Sequence, residues 1–292
     1  MDPDAVASLP AVSAAIALAF GLVVGSFLNV VIHRLPRGES VAWPGSRCPK
    51  CARPIRPHEN VPVLSFLWLR GRCRGCGERI GLRYPAIELL TGLLFAAIAW
   101  QVGPRPAVVL WCAFAAALVA AAAIDAEHRI IPDELSVGGL VAGLVLVPVV
   151  TAFDGVPYTR ALVHSVSGAV LGGGLLWSVG FAHARLSTAL GRTFEHWPGD
   201  GAVHPRPAEL DYWTWFPGLG FGDVKLLAMI GAFVGPGGVI ETLLAASVAG
   251  LVLGVGWALA TGRWNAPFGF GPALAAGALL VVLVPHPPLL PV

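Results

Sequence analysis

Stretches of about 20 residues with little or no charge recur along this chain, and they leave few folds open. Once such a run enters lipid, every backbone N–H and C=O must find its partner inside the protein, so the run has to be a helix or part of a closed barrel. Runs of that length match the helix needed to cross the hydrocarbon core, about 30 Å thick. Of the 292 residues, 56% are hydrophobic and 12% charged, half the charged fraction of an ordinary soluble domain, which is about 25%. The expected fold is therefore an all-α polytopic membrane protein. Eight spans are expected, at 10–32, 85–102, 107–124, 135–152, 161–184, a short one at 223–235, 238–260 and 272–290. Pro104, Pro106, Pro132, Pro157, Pro236 and Pro272 fall between them or at their starts, as helix punctuation should. The first run follows a tail with Asp2 and Asp4 and no base. It therefore lacks the basic segment of a signal peptide and is read as a retained helix.

Charge sets the orientation. The loop 33–84 holds eleven of the 19 Lys and Arg residues against Glu39, Glu59 and Glu78, which places it in the cytoplasm. Counting eight crossings from there puts the N-terminus outside and makes 185–222 the second cytoplasmic region. The expected organisation is a first helix (1–32), a cytoplasmic metal-binding loop (33–84), helices two to five (85–185), a cytoplasmic insertion (186–218) and helices six to eight (219–292). The insertion is rich in Trp, Pro and His; it reads as a variable loop or as a lid on the membrane surface.

Two carboxylates stand out. Asp125 in IDAEHRIIPDELS ends the third span and Asp223 in LGFGDVKLL begins the sixth, so the count brings both to one membrane face. A carboxylate beside hydrocarbon is expensive and usually functional. Two that share a site hold a proton between them, so the ionised one can activate water while the other polarises a carbonyl. The plainer reading of Asp223 is a helix N-cap. Gly220 and Gly222 would let a substrate strand approach closely. Lys225 is a candidate either for tuning Asp223 or for reaching the headgroups. Glu127, Asp133 and Glu134 compete locally with Asp125, and the last two look like the acidic first turn of a following helix. Glu88 reads as a surface residue near the headgroups or as a site carboxylate.

Four of five cysteines form two knuckles, Cys48-x2-Cys51 and Cys73-x2-Cys76, with 21 residues between them. That pattern suits a closed, structural four-thiolate zinc site. Two disulfides are the rival, which a reducing cytoplasm disfavours. Cys112, alone in an apolar run, reads as a small core residue. The loop's bases could meet anionic lipid or a phosphate-bearing ligand. Nucleic acid is not expected as a partner, and the oligomeric state is not legible.

Six segments together resemble the type IV prepilin leader peptidases, membrane enzymes that also N-methylate their product. They are GLVVGSFLNVVIHRLP, the four cysteines with NVPVLSFLWLRGRC between them, RYPAIELLTGLLF, IDAEHRIIPDELS, GFGDVKLLAMIGAFVG and APFGFGPALAAG. The resemblance covers nearly the whole chain. It implies a GxGD-type aspartic protease with Asp125 and Asp223 as catalytic residues, in the bacterial inner membrane, acting at the cytoplasmic face. Its implied substrates are prepilins and pseudopilins, cleaved after Gly, with the new N-terminus methylated from S-adenosylmethionine. The insertion 186–218 is longer than the resemblance leads one to expect, and no glycine-rich cofactor fingerprint marks the methyl-donor site. Two rival readings are a transporter or scaffold with a zinc-stabilised adaptor, and a presenilin-like GxGD protease, which the cysteine loop argues against.

Overall fold

In the computed structural model, residues 3–192, 206–262 and 269–284 are described, and among them all regular structure is helical. Six helices are long and apolar enough to cross a membrane. α1 spans Pro3–Arg34, and within the loop that follows lies the short α2, Leu64–Trp68. α3 is Arg83–Val102, α4 Ala107–His128, α5 Asp133–Ala152 and α6 Tyr158–Ala189. The short α7 is Leu210–Thr214, α8 is Phe221–Thr261 and α9 is Gly271–Leu283.

Two of the eight expected spans are joined in α8. Its 41 residues contain one non-helical residue, Gly235, at φ 72° and ψ −177°. A side chain is all but excluded from that conformation, and Pro236 has no N–H to continue the ladder and starts the next helix well. The continuous element is therefore two helices, 221–234 and 236–261, broken where the sequence places Gly-Pro. α9 has 13 residues, and the rest of the expected span 272–290 lies outside the described residues. So do residues 266–268, the first three of the segment APFGFGPALAAG.

The chain divides into two compact units, one running to His128 and the other from Arg129 to Val281. In the first, α1 crosses α3 at small residues. A methyl group added to Gly25 would lie 2.6 Å from Glu88 Cα, and one on Gly21 would lie 2.8 Å from Gly92 Cα. In lipid, where apolar surface gains little by hiding from its surroundings, such close backbone approach supplies the packing energy. α4 is rich in alanine and carries the best-buried stretch, with Leu118, Ala120, Ala121 and Ile124 fully shielded.

In the second unit, α6 and the first half of α8 meet through Gly168 and Gly231, with no room for a side chain on either. Ser165, fully buried, donates to Ala232 O at 2.6 Å across the same contact. Toward the C-terminal end of α6, Trp177 and Phe181 stack at 4.9 Å and Phe181 and Trp213 at 5.4 Å. The Arg185 guanidinium lies 3.9 Å from the centre of the Tyr212 ring. The Trp177 indole donates to Trp213 O at 2.9 Å. The later part of the 186–218 segment thus folds back onto α6, while 193–205 lie outside the described residues.

Candidate metal centre and buried carboxylates

The two cysteine knuckles are built alike. In the first, Cys48 N–H donates to Arg53 O at 3.0 Å and Ala52 N–H to Cys48 O at 2.9 Å. Shifted by 25 positions, Cys73 N–H donates to Glu78 O at 2.8 Å and Gly77 N–H to Cys73 O at 2.9 Å. The residue after each second cysteine is left-handed: Ala52 at φ 55° and Gly77 at φ 71°. The turn needs that conformation to swing the chain back, and only Gly77 adopts it without cost.

The knuckles bring all four sulfurs within 4.8 Å of one another. Cys48 Sγ lies 3.8 Å from Cys76 Sγ, and Cys51 Sγ 4.0 Å from Cys73 Sγ. A tetrahedral zinc with Zn–S bonds of about 2.3 Å demands sulfur separations of about 3.8 Å, whereas a disulfide holds its sulfurs near 2.05 Å. The geometry fits the metal, and all five cysteines are free thiols. The backbone N–H groups of Cys76 and Gly75 point at Cys73 and lower its pKa to about 6, while burial and the neighbouring sulfurs push Cys76 up to about 11, so the cluster gives up its first proton readily and favours a thiolate, the form a metal binds. Cys48, Cys51, Cys73 and Cys76 would hold zinc as a closed centre whose role is to order a loop with little core of its own.

Glu59, which the sequence does not single out, joins the knuckles. Its side chain is 4% exposed, accepts from Arg53 of the first knuckle at 2.9 Å, and lies 3.6 Å from Arg74 of the second. It also accepts from Arg56 N–H at 3.2 Å. The Arg53 guanidinium, helped by that N–H, holds the Glu59 carboxyl below the usual range against the opposing effect of burial.

Glu88 is buried, which corrects its reading as a headgroup residue. It accepts from Val63 N–H at 2.7 Å. Val63 sits in a tight γ-turn at φ 59°, ψ −48°, closed by Leu64 N–H to Pro62 O at 2.6 Å. A β-branched residue rarely takes that conformation; the carboxylate on α3 secures the exposed N–H that the turn leaves over.

Asp125 lies in the last turn of α4 and Asp223 in the first turn of α8, and both are buried, 5% and 8% exposed. Their acidic neighbours are not. Glu127 is ion-paired with Arg83, its Oε2 2.6 Å from the guanidinium. Asp133 begins α5 after Pro132 and pairs with Lys225, and Glu134 is exposed. Lys225 is thus engaged by Asp133. Asp223 is not the N-cap of α8; Gly220 holds that position, with no side-chain cap, and accepts Asp223 N–H at 3.0 Å. A methyl group on Gly220 would lie 3.3 Å from Asp223 Oδ2, and one on Gly222 would lie 3.2 Å from Ile131 Cβ. A side chain at Gly220 would thus press on Asp223 itself, and one at Gly222 on Ile131.

These features define a multi-pass helical membrane protein with a cysteine-stapled loop and acids buried at helix ends. Residues 19–102 match the bacterial peptidase A24 N-terminal domain and residues 112–255 the type IV leader peptidase family, and the chain belongs to that family. It is 40% identical over 247 residues to a prepilin leader peptidase/N-methyltransferase of Myxococcus xanthus, covering 83% of this chain and 62% of that protein. It is 37% identical to the protein of that name from Burkholderia pseudomallei, covering 94% of this chain and 86% of the relative. With the Aeromonas hydrophila protein the identity is 34%, over 90% of this chain and 88% of the relative. No solved structure gives a significant match.

Proposed function

We propose that this chain is a membrane aspartic endopeptidase that removes the leader of prepilins and pseudopilins and N-methylates the new N-terminus, with Asp125 and Asp223 as its catalytic carboxylates. The observation that carries the assignment is selective burial. Each aspartate is shielded within its own unit, while the acids near them in the sequence, Glu127, Asp133 and Glu134, face solvent or bases. A buried carboxylate at a helix end in a membrane protein is costly to keep without a use.

The chemistry this reading requires starts with one of the two acids ionised and the other protonated. The ionised carboxylate takes a proton from water as its oxygen adds to the peptide carbon. The protonated carboxyl gives its proton to the carbonyl oxygen. Collapse of the tetrahedral species breaks the C–N bond, and a proton passes to the leaving amine. Gly220 sets no side chain against Asp223, where a methyl group would lie 3.3 Å from Oδ2. Lys225, paired with Asp133, anchors the first turn of α8 to the start of α5.

The basic loop 33–84 supports a location in the inner membrane with the N-terminus outside and the loop in the cytoplasm. Zinc on the four cysteines orders that loop, and S-adenosylmethionine supplies the methyl group that the relatives' names imply. The test is to incubate the purified protein with a prepilin and S-adenosylmethionine and weigh the product. The wild type yields a shortened peptide 14 Da heavier than cleavage alone predicts, about one methyl group. Asp125→Asn and Asp223→Asn each abolish cleavage while the melting temperature holds; processing by either variant refutes the assignment.

A further inference from the structure

A cavity of about 240 Å³ lies in the first unit, between the ends of α1 and α3 and the cysteine loop. Nothing in the proteolytic reading uses it. Its apolar wall is formed by Phe66, Leu69 and Ile80, and Asn29 and Glu88 also line it. Asn29 is 4% exposed. Its Nδ2 donates to Gly25 O at 3.2 Å and Tyr84 O at 3.1 Å. Two carbonyls thereby set which end of the amide is which, and they leave Oδ1 buried with no partner.

An unsatisfied acceptor is costly; lining one cavity with a buried carboxylate that accepts from Val63 N–H, it suits a cation with several N–H donors. An ammonium offers three. Water, with two donors and no charge, would leave the carboxylate uncompensated. Arg47 and Arg79 also line the cavity and have no ion pair among the described residues. A guanidinium suits a carboxylate. Acceptors and guanidinium groups around an apolar wall are complementary to an α-amino acid. Whole-cofactor pockets run to about 300–1,000 Å³, so this volume suits the amino-acid end of a larger molecule.

We propose that this cavity binds the aminoacyl end of an S-adenosylmethionine-type methyl donor, with its ammonium on Asn29 Oδ1 and the Glu88 carboxylate and its carboxylate toward Arg47 and Arg79. The choice of ligand rests on the methyl-transfer reading above; the preference for an α-amino acid rests on the lining alone. Asn29 and Glu88 are positioning residues for the donor.

Calorimetric titration of the full-length protein in detergent tests this with S-adenosylhomocysteine, with 5′-methylthioadenosine, which lacks the amino acid, and with a mature-type peptide bearing a free N-terminus. Glu88→Gln weakens S-adenosylhomocysteine about ten- to a hundredfold, the loss of one charge-assisted contact, and leaves methylthioadenosine and peptide unchanged. Arg79→Ala, at an exposed position, gives the same pattern and covers the case in which Glu88→Gln melts early or loses zinc. Equal binding of S-adenosylhomocysteine by wild type and both variants overturns the proposal, as does an equal loss for methylthioadenosine. A loss for the peptide instead assigns the cavity to the substrate's N-terminus and also overturns it. If wild-type protein makes no methylated product while its S-adenosylhomocysteine binding depends on Glu88, the methyl-transfer reading falls and the amino-acid site stands.

Discussion

The twin knuckles invite a reciprocal exchange, Ala52→Gly and Gly77→Ala. Both positions are left-handed, at φ 55° and 71°, and a Cβ at Gly77 would meet nothing within 4 Å. Backbone conformation alone therefore decides the outcome there. Holding an L-residue in the left-handed region costs about 1–2 kcal/mol. Glycine's greater freedom in the unfolded loop gives back about 0.4–1 kcal/mol. The net expectation is about 0.5–1 kcal/mol of stabilisation for Ala52→Gly and a similar loss for Gly77→Ala. Since the loop folds around its metal, the difference appears in zinc affinity as a factor of about 2–5. Competition with a chromogenic chelator, followed by absorbance, reads that factor directly. The double variant, with the two costs exchanged, should match the wild type within error because the knuckles are separate turns. If Ala52→Gly weakens zinc retention, or if the two changes act in the same direction, the account of the knuckles is wrong.

Two further outcomes follow from the geometry. Gly220→Ala places a methyl group 3.3 Å from Asp223 Oδ2. The carboxylate must shift, and cleavage should slow about tenfold or more with no change in melting; an unchanged rate would show that the approach to Asp223 has room to spare. Glu59, its carboxyl held below the usual range chiefly by Arg53, stabilises the loop above its unfolded-state pKa and loses that contribution as pH falls through its lower folded value. The stability gap between wild type and Glu59→Gln, measured by protease resistance of the loop, should therefore be widest near neutrality and close on acidification; a constant gap would mean that the ion pair plays no part.

Much of this architecture is legible in the sequence because the bilayer is a strict solvent. Apolar length marks each helix, and Gly235-Pro236 marks the break in α8 for reasons of backbone geometry alone. The cysteine spacing likewise carries its own chemistry. Less legible are the contacts made between segments far apart in the chain. Glu88 looks like a headgroup residue in isolation. It is drawn inward because α1 packs so closely at Gly25 that an added methyl group would lie 2.6 Å from Glu88 Cα, and the loop then delivers Val63 N–H to the carboxylate. Lys225 finds Asp133 across 92 positions, and Glu59 spans two knuckles that local sequence treats separately. None of these pairings has a periodic or spacing signal; each arises only after the helices have packed.

The length of α6 has a consequence for the lipid. Its 32 residues rise about 48 Å at 1.5 Å each, while the hydrocarbon slab is about 30 Å deep. Leaning alone would have to reach about 50° to hide it, outside the usual range of about 0–40°. The helix is therefore a mast rather than a rivet, and part of its length stands outside the hydrocarbon. A bilayer that swells or thins by a few ångströms meets more or less of the same shaft, and the helix need neither stretch nor kink to follow it.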